Sequence, residues 1–461
     1  MSLTSKASAC FIVSNIVLKG ISLITTPIFT RFMDVTDYGT ISMYVTLQGL
    51  FSVFATLNLS GGVYNVAMTK FEDINEYTSS MFGLESILSF FVYTLIIIFN
   101  SLFADVFDLP NIYIVFMWIQ TLFNAFISFW LVRMRFNYAY KPVLIYTILS
   151  AIISPSLAIL GIILFPSNMA IAKVIGAGIF GLIFGVIIFA ITYKNSSRLY
   201  FRKYWKYALA FNIPLLPHYL SSNLLGSTDK LMIDNIVGRE ITGFYSVSQS
   251  MVGVVSVIIN AINSSMIPYT LQSIKNAKYD TLKEKINFYL KIIVVICVGV
   301  MLFSREAIIL LASTKYLDSI QYIPPLIVAA FLSFLMGLLG NIQFYYNKRC
   351  LMSTITMVSA LVNLGLNYIG INLFGAIAAS YATAITNIMG FSILYYNTKK
   401  CEKNLNMIFD IKLIIILFVI ILASGSIAIA FQYSFIIRVL AMLILGLCIY
   451  TISRGTINND D

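Results

Sequence analysis

Apolar residues run along this chain in long blocks separated by short polar connections. The blocks are far longer than strands, and their sparse polar positions recur at helical spacing. Roughly 20 mostly apolar residues let a helix cross the hydrocarbon of a bilayer. Blocks of that kind begin near residues 7, 38, 80, 111, 142, 167, 210, 242, 285, 323, 351, 376, 411 and 435. They predict an all-α polytopic membrane protein with about fourteen transmembrane helices. The longest polar connections, near 194–207, 269–284 and 398–410, leave no room for a soluble domain. The first block exceeds a signal-peptide core of about 7–15 residues and has no small-residue cleavage site, so it is expected to remain as a helix.

Two blocks match one another. Residues 38–60 and 242–264 align at a constant offset of 204, with identities at Gly39/Gly243, Ser42/Ser246, Gly49/Gly253, Ser52/Ser256, Val53/Val257 and Ser60/Ser264. Transporters are commonly built from such internal repeats. Six helices separate the two copies, so both have the same orientation. This predicts two six-helix lobes related by a pseudo-two-fold axis along the membrane normal, at 1–193 and 210–398. A basic amphipathic cytoplasmic linker (194–209) joins them, and a C-terminal helix pair occupies 399–461 with a short tail.

Polar residues inside the spans form stripes. In the first span Ser8, Asn15, Lys19, Ser22, Thr26 and Thr30 share one face. Ser52, Thr56 and Ser60 line up in the second span, and Ser256, Asn260 and Ser264 at the same offset in the eighth. In the seventh, His218, Ser222 and Asp229 share a face. Small-residue stripes also serve as helix-packing surfaces, and that reading stays open for the serines and threonines. It does not cover Lys19. A charge at mid-bilayer depth costs roughly 2.5–3.5 kcal/mol or more and usually faces a watery path or a partner. Lys19 is therefore the leading candidate for a functional group inside the membrane, since such charges usually mark a substrate path. Asp229, His218 and Glu85 are candidates for ion coupling. Lys230 and Asp234 are spaced as an i,i+4 pair that can neutralise itself near the outer end of the seventh helix.

Composition agrees with this picture. Of the 461 residues 59% are hydrophobic and 11% charged, with a mean hydropathy of +0.89, against about 25% charged in soluble domains. The formal net charge of +11 is accounted for by topology. Placing the N-terminus and alternate connections on one side puts 21 of the 30 basic residues there and seven on the other, Lys173 and Arg239 among the seven. Positive residues favour the cytoplasmic side, so both termini are expected in the cytoplasm, and nucleic-acid binding is not needed to explain the charge. Five cysteines without paired spacing and one histidine suggest neither a disulfide framework nor a metal site. No nucleophile with a base is visible, so an enzyme is not expected.

The stretch NIPLLPHYLSSNLLGSTDKLMIDNIVGREITGFYSVSQSM (212–251) resembles the helix 7–8 signature of O-antigen flippases of the Wzx type, within the multidrug/oligosaccharidyl-lipid/polysaccharide exporter superfamily. TPIFTRFMDVTDYGTISMY (26–44) resembles the family's helix 1–2 turn, and NLGLNYIGINLFGAIAASYATAI (363–385) its Asn-rich helix 11. The resemblance implies two lobes around a central cavity lined by helices 1, 2, 7 and 8, with Lys19 and the edge residue Arg31 as its cations and Asn15, Asn260, Ser22, Thr26 and Ser222 as hydrogen-bonding groups for the substrate. It implies a flippase that moves an undecaprenyl-diphosphate-linked oligosaccharide, an O-antigen or capsule repeat unit, across the bacterial inner membrane by alternating access, without a cofactor. The implied partners are the lipid-linked oligosaccharide, membrane lipid, and other polysaccharide assembly proteins such as a polymerase or chain-length regulator. A cation-coupled multidrug or small-molecule exporter of the same superfamily is the alternative. A membrane glycosyltransferase or polymerase would need a larger extramembrane loop than this chain has.

Overall fold

The computed structural model describes residues 25–102, 109–137, 139–196, 198–346 and 349–457; a minority of these, His218 and Ser222 among them, are described by their backbone alone. Among the described residues the chain is helical and contains no strand. Among these residues ten helices are long and apolar enough to cross a membrane. The remaining predicted blocks are accounted for locally. The first lies mostly outside the described residues, and the second and seventh are helical but more polar. The last has a described apolar run, Phe435–Leu447, that is shorter than the others. Its contacts divide the chain into two compact units, Met1–Ser227 and Thr228–Asp461.

In unit 1 a helix over 25–32 (α1) is followed by α2 (Val35–Thr56), α3 (Gly62–Lys70), α4 (Ile74–Leu102), α5 (Asn111–Phe136), α6 (Tyr140–Leu164), α7 (Met169–Asn195) and α8 (Arg202–Asn212). Asp34, in extended conformation, separates α1 from α2. α6 and α7 meet at glycines. A Cβ on Gly176 would sit 2.4 Å from the Leu157 carbonyl oxygen, and one on Gly161 would sit 2.7 Å from that of Ala172. Small residues are what allow two membrane helices to approach this closely.

The basic linker is part of this unit. Trp205 Nε1 donates to the Ser80 carbonyl at 3.0 Å, and Ser79 Oγ donates to the Arg198 carbonyl at 2.7 Å. A Cβ on Gly83 would lie 2.0 Å from the Leu199 carbonyl oxygen, so the linker backbone rests directly on α4. α8 is amphipathic as expected: Tyr204, Ala208 and Asn212 are buried while Arg202, Lys203 and Lys206 face outward. Aromatic packing around Tyr77, Tyr204 and Phe71 ties it to α3 and α4. For that reason the contact division falls beyond the linker, inside α9 (Leu216–Ile236).

Unit 2 continues with α10 (Arg239–Lys275), α11 (Tyr279–Leu302), α12 (Ser304–Leu311), a 3-10 segment (Thr314–Tyr322), α13 (Ile323–Tyr345), α14 (Arg349–Phe374), α15 (Ile377–Cys401), α16 (Leu405–Ile408), α17 (Ile411–Ala430) and α18 (Phe435–Ile457). α13 is its central helix. Its spanning window is 83% buried, because α10, α11, α14, α15 and α17 all pack against it. The C-terminal pair belongs to this unit. α17 packs on α11 and α13, and Arg438 of α18 is buried with both its terminal nitrogens on Glu306 of α12, at 2.5 and 2.6 Å.

The two repeat copies agree only in part. α2 stops at Thr56, where Leu57 and Asn58 take positive φ of 47° and 52°. Asn tolerates this left-handed region better than most residues. The matching stretch of α10 runs on without a break through Ser264, in a helix of 37 residues.

Candidate functional site

In unit 1, α2, α5, α6 and α7 enclose a cavity of about 420 Å³. A second cavity of about 390 Å³ along α2 and α5 shares Val45, Gln48 and Asn124 with it. The stripe expected on the second helix is brought together here: Ser52, Thr56 and Ser60 all line this second cavity. Ser60 reaches it although α2 has ended, because the turn at Leu57–Asn58 carries the chain along the same wall.

An amide sets the wall between α2, α5 and α7. Gln120 Oε1 accepts from Tyr44 Oη at 2.9 Å and from Gln48 Nε2 at 3.2 Å, and Gln120 Nε2 donates to the Val174 carbonyl at 2.9 Å. Gly178 makes room for it, since a Cβ there would fall 2.2 Å from Gln120 Nε2. Lys173, which the charge count placed merely among the outer connections, lines the same cavity. Its Nζ lies 4.0 Å from the centroid of the Phe29 ring and 5.0 Å from that of Tyr38. Gln48, Gln120, Asn124 and Lys173 were not singled out from the sequence. Three of them carried a periodic signal, since Gln120 and Asn124 are an i,i+4 pair on α5 and Gln48 extends the Ser52/Thr56 spacing on α2, whereas Lys173 stands alone on α7.

In unit 2 the centre is Asp229 of α9. It is 4% exposed, and three helices supply its donors. Tyr245 Oη of α10 donates to Oδ2 at 2.6 Å, Thr383 Oγ1 of α15 donates to Oδ2 at 2.9 Å, and Asn367 Nδ2 of α14 donates to Oδ1 at 2.6 Å. Asn367 Nδ2 also donates to Asn363 Oδ1 at 3.0 Å. Hydrogen bonds of this kind offset the cost of burying a carboxylate. Asn367 Oδ1 is buried without a hydrogen-bond partner. The cluster therefore gathers carboxylate, amide and hydroxyl oxygens, the donors that hard cations take, around one group able to carry a proton. Among the described residues no three His, Cys, Asp or Glu side chains come together as a metal site. Asp234, by contrast, is ion-paired to Arg239 at 2.7 Å rather than reserved for Lys230. The turn at Val237–Gly238 brings the start of α10 back to the end of α9.

The other sequence candidates are dispersed. Lys19, Asn15 and Ser22 lie outside the described residues, as do the side chains of His218 and Ser222. Thr26 is half-buried in α1 and its carbonyl accepts from Thr30 Oγ1 at 2.9 Å; Arg31 in the same helix is exposed. Asn260 and Ser264 are exposed on α10. Glu85 is buried within α4, with both carboxyl oxygens lacking a hydrogen-bond partner. The partners of Asp229 had one sequence signal, the Asn363/Asn367 pair at i,i+4 in an apolar block.

Comparison with known proteins adds four findings. The profile of a family described as polysaccharide biosynthesis protein matches residues 28–321. Over 421 residues the chain is 22% identical to the Lsg locus putative protein 1 of Haemophilus influenzae, covering 87% of this chain and 99% of that protein. In structure it is similar to the lipid II flippase MurJ in an inward closed conformation, with a TM-score of 0.69, 16% identity, and 96% and 98% of the two chains covered. It is also similar to an inward-facing multidrug resistance MATE family transporter of the MOP superfamily, with a TM-score of 0.62, 14% identity, and 84% and 95% coverage.

Proposed function

The chain belongs to the polysaccharide biosynthesis protein family, and from that premise we propose that it is a flippase for a lipid-linked glycan. The substrate is an undecaprenyl-diphosphate-linked oligosaccharide, an O-antigen or capsule repeat unit, carried across the bacterial inner membrane by alternating access. A sugar headgroup has many polar groups that would lose their water in about 30 Å of hydrocarbon. A flippase must replace that water. The observation that carries the reading is the amide- and hydroxyl-lined cavity system of unit 1, set among spans that are otherwise apolar. In the same reading Lys19 offers the diphosphate one point charge and Arg31 a second, with Asn15, Ser22, Thr26, Ser222 and Asn260 offering further hydrogen bonds.

Asp229 couples the cycle to an ion. Its carboxylate sits where α9, α10, α14 and α15 converge, so a proton or a small cation bound there changes what holds the four helices together. The same cluster favours the second reading, a cation-coupled exporter of small molecules.

Deleting the protein from its native host and analysing the accumulated lipids separates the two readings. A flippase leaves a complete lipid-linked repeat unit on the cytoplasmic leaflet. A small-molecule exporter leaves the lipid-linked pool unchanged. In this reading both termini lie in the cytoplasm, and cysteine labelling at Ser196 and Asp318 should report opposite faces of the membrane; both on one face would overturn that topology.

A further inference from the structure

The larger cavity of unit 1 holds an arrangement that neither the family nor the coupling centre accounts for. Lys173 presents its ammonium to it, and the groups around that ammonium are two aromatic faces, Phe29 and Tyr38. Rings attract a cation, but they do not satisfy its three N–H donors. Among the described residues no carboxylate pairs with Lys173 and no hydrogen bond is made by its Nζ. An ammonium held in place by rings, with its donors unspent and a cavity in front of it, is arranged to receive an anionic oxygen.

The rest of the wall says what kind of molecule carries that oxygen. The side-chain amide of Asn124 and the hydroxyl of Ser154 line the cavity and make no hydrogen bond among the described residues. Gln120 makes three hydrogen bonds, with Tyr44, Gln48 and Val174, and serves to position the wall. The same lining includes two aromatic rings, Tyr146 and Phe180, which pack near-parallel at 6.0 Å, centroid to centroid. Neutral hydrogen-bonding groups and aromatic rings in one cavity match a sugar ring, whose edge is hydroxyl and whose face is C–H. The volume, about 420 Å³, is near the lower end of the range of about 300–1,000 Å³ for small-molecule sites.

The charge count is equally restrictive. Among the described residues Lys173 is the one cation that lines the cavity, and no arginine does. A lysine is a point charge without the fork that grips phosphate oxygens in pairs. A diphosphate in this cavity would keep much of its charge uncompensated, whereas a single carboxylate would be neutralised.

We infer that this cavity is a recognition subsite for one monoanionic sugar of the glycan, a uronic acid or a sugar of the same chemistry, with Lys173 holding its carboxylate. The inference rests on the glycan-flippase reading and narrows its substrate. The phosphate groups of the carrier lipid bind elsewhere.

The test uses the full chain in nanodiscs and saturation-transfer NMR with three probes: glucuronate, glucose and pyrophosphate. Wild type should bind glucuronate saturably and more tightly than glucose, and pyrophosphate should not displace it. Lys173→Met should weaken glucuronate by about tenfold or more, the scale of one hydrogen bond to a charged group, and leave glucose unchanged. Lys173→Arg should keep the preference for glucuronate. Equal binding of glucose and glucuronate by wild type overturns the subsite, and needs no variant. Displacement by pyrophosphate through Lys173 makes it a phosphate site instead, and an unaffected Lys173→Met removes the residue from recognition. The lipid analysis of the deletion strain is independent of these results. An accumulated repeat unit with no glucuronate preference refutes the subsite alone, and an unchanged lipid pool refutes the flippase reading itself.

Discussion

Asn367 donates its amide to Asp229 at 2.6 Å, from α14 to α9, across 138 residues of sequence. With Tyr245 and Thr383 it makes the carboxylate a junction of four helices rather than a charge at a helix end. Whatever occupies Asp229 is felt by every one of them.

Asp229→Asn should leave glycan binding intact and remove the dependence of flipping on a pH or sodium gradient in reconstituted vesicles. Asn367→Ala should lower thermal stability, since a hydrogen bond to a charged group is worth about 1.5–3 kcal/mol. If Asp229→Asn instead lowers only expression and the surviving protein keeps its gradient dependence, the cluster is structural.

Lys19 is the cation that the sequence places at mid-membrane depth. Export measured by complementation should be abolished by Lys19→Ala at unchanged protein level and partly retained by Lys19→Arg, which keeps the charge. Full activity of Lys19→Ala would return the residue to a structural role.

Arg438 holds the Glu306 carboxyl below the usual carboxylate range, chiefly by the hydrogen bonds from its guanidinium. A lowered folded-state pKa means that the stabilisation is present above the unfolded value and is lost as pH falls through the folded one. Tm should therefore drop more for wild type than for Glu306→Gln as pH is taken from about 6 to below about 4, across the carboxylate range. Parallel curves would show that the pair does not fasten α18 through its charge.

Gly83 lies against the linker backbone at Leu199. Gly83→Ala should cost about 1–3 kcal/mol by overpacking and lift the linker from α4. Trypsin should then cut faster after Arg198, Arg202 and Lys203, in detergent or in vesicles. An unchanged cleavage rate would mean that the linker is held without that contact.

Much of the fold is legible in the sequence because the bilayer makes one demand on every span. Backbone groups in hydrocarbon must be satisfied within the segment, so a long apolar block becomes a helix whatever its neighbours are. The blocks beginning near 80, 111, 142, 285, 323, 376 and 411 are all helices at their expected places. The polar stripe at Ser52, Thr56 and Ser60 was legible for a related reason, since residues three and four apart share a face.

What the sequence by itself determined, then, is local: helix or connection, buried stripe or lipid face, and Asp229 as a charge out of keeping with its surroundings. Only the tertiary structure decided which residues meet. Thr383 and Asn367 reach one carboxylate because the fold brings side chains of α15 and α14 to Asp229 of α9. Lys173 leaves the class of outer-loop cations because α7 carries it to the rings of Phe29 and Tyr38. The basic linker looked like a divider between halves and is instead part of unit 1, because Ser79, Ser80 and Gly83 give its backbone a seat on α4. In each case the energy comes from a contact between distant segments, and helical periodicity carries no record of which distant segment that is.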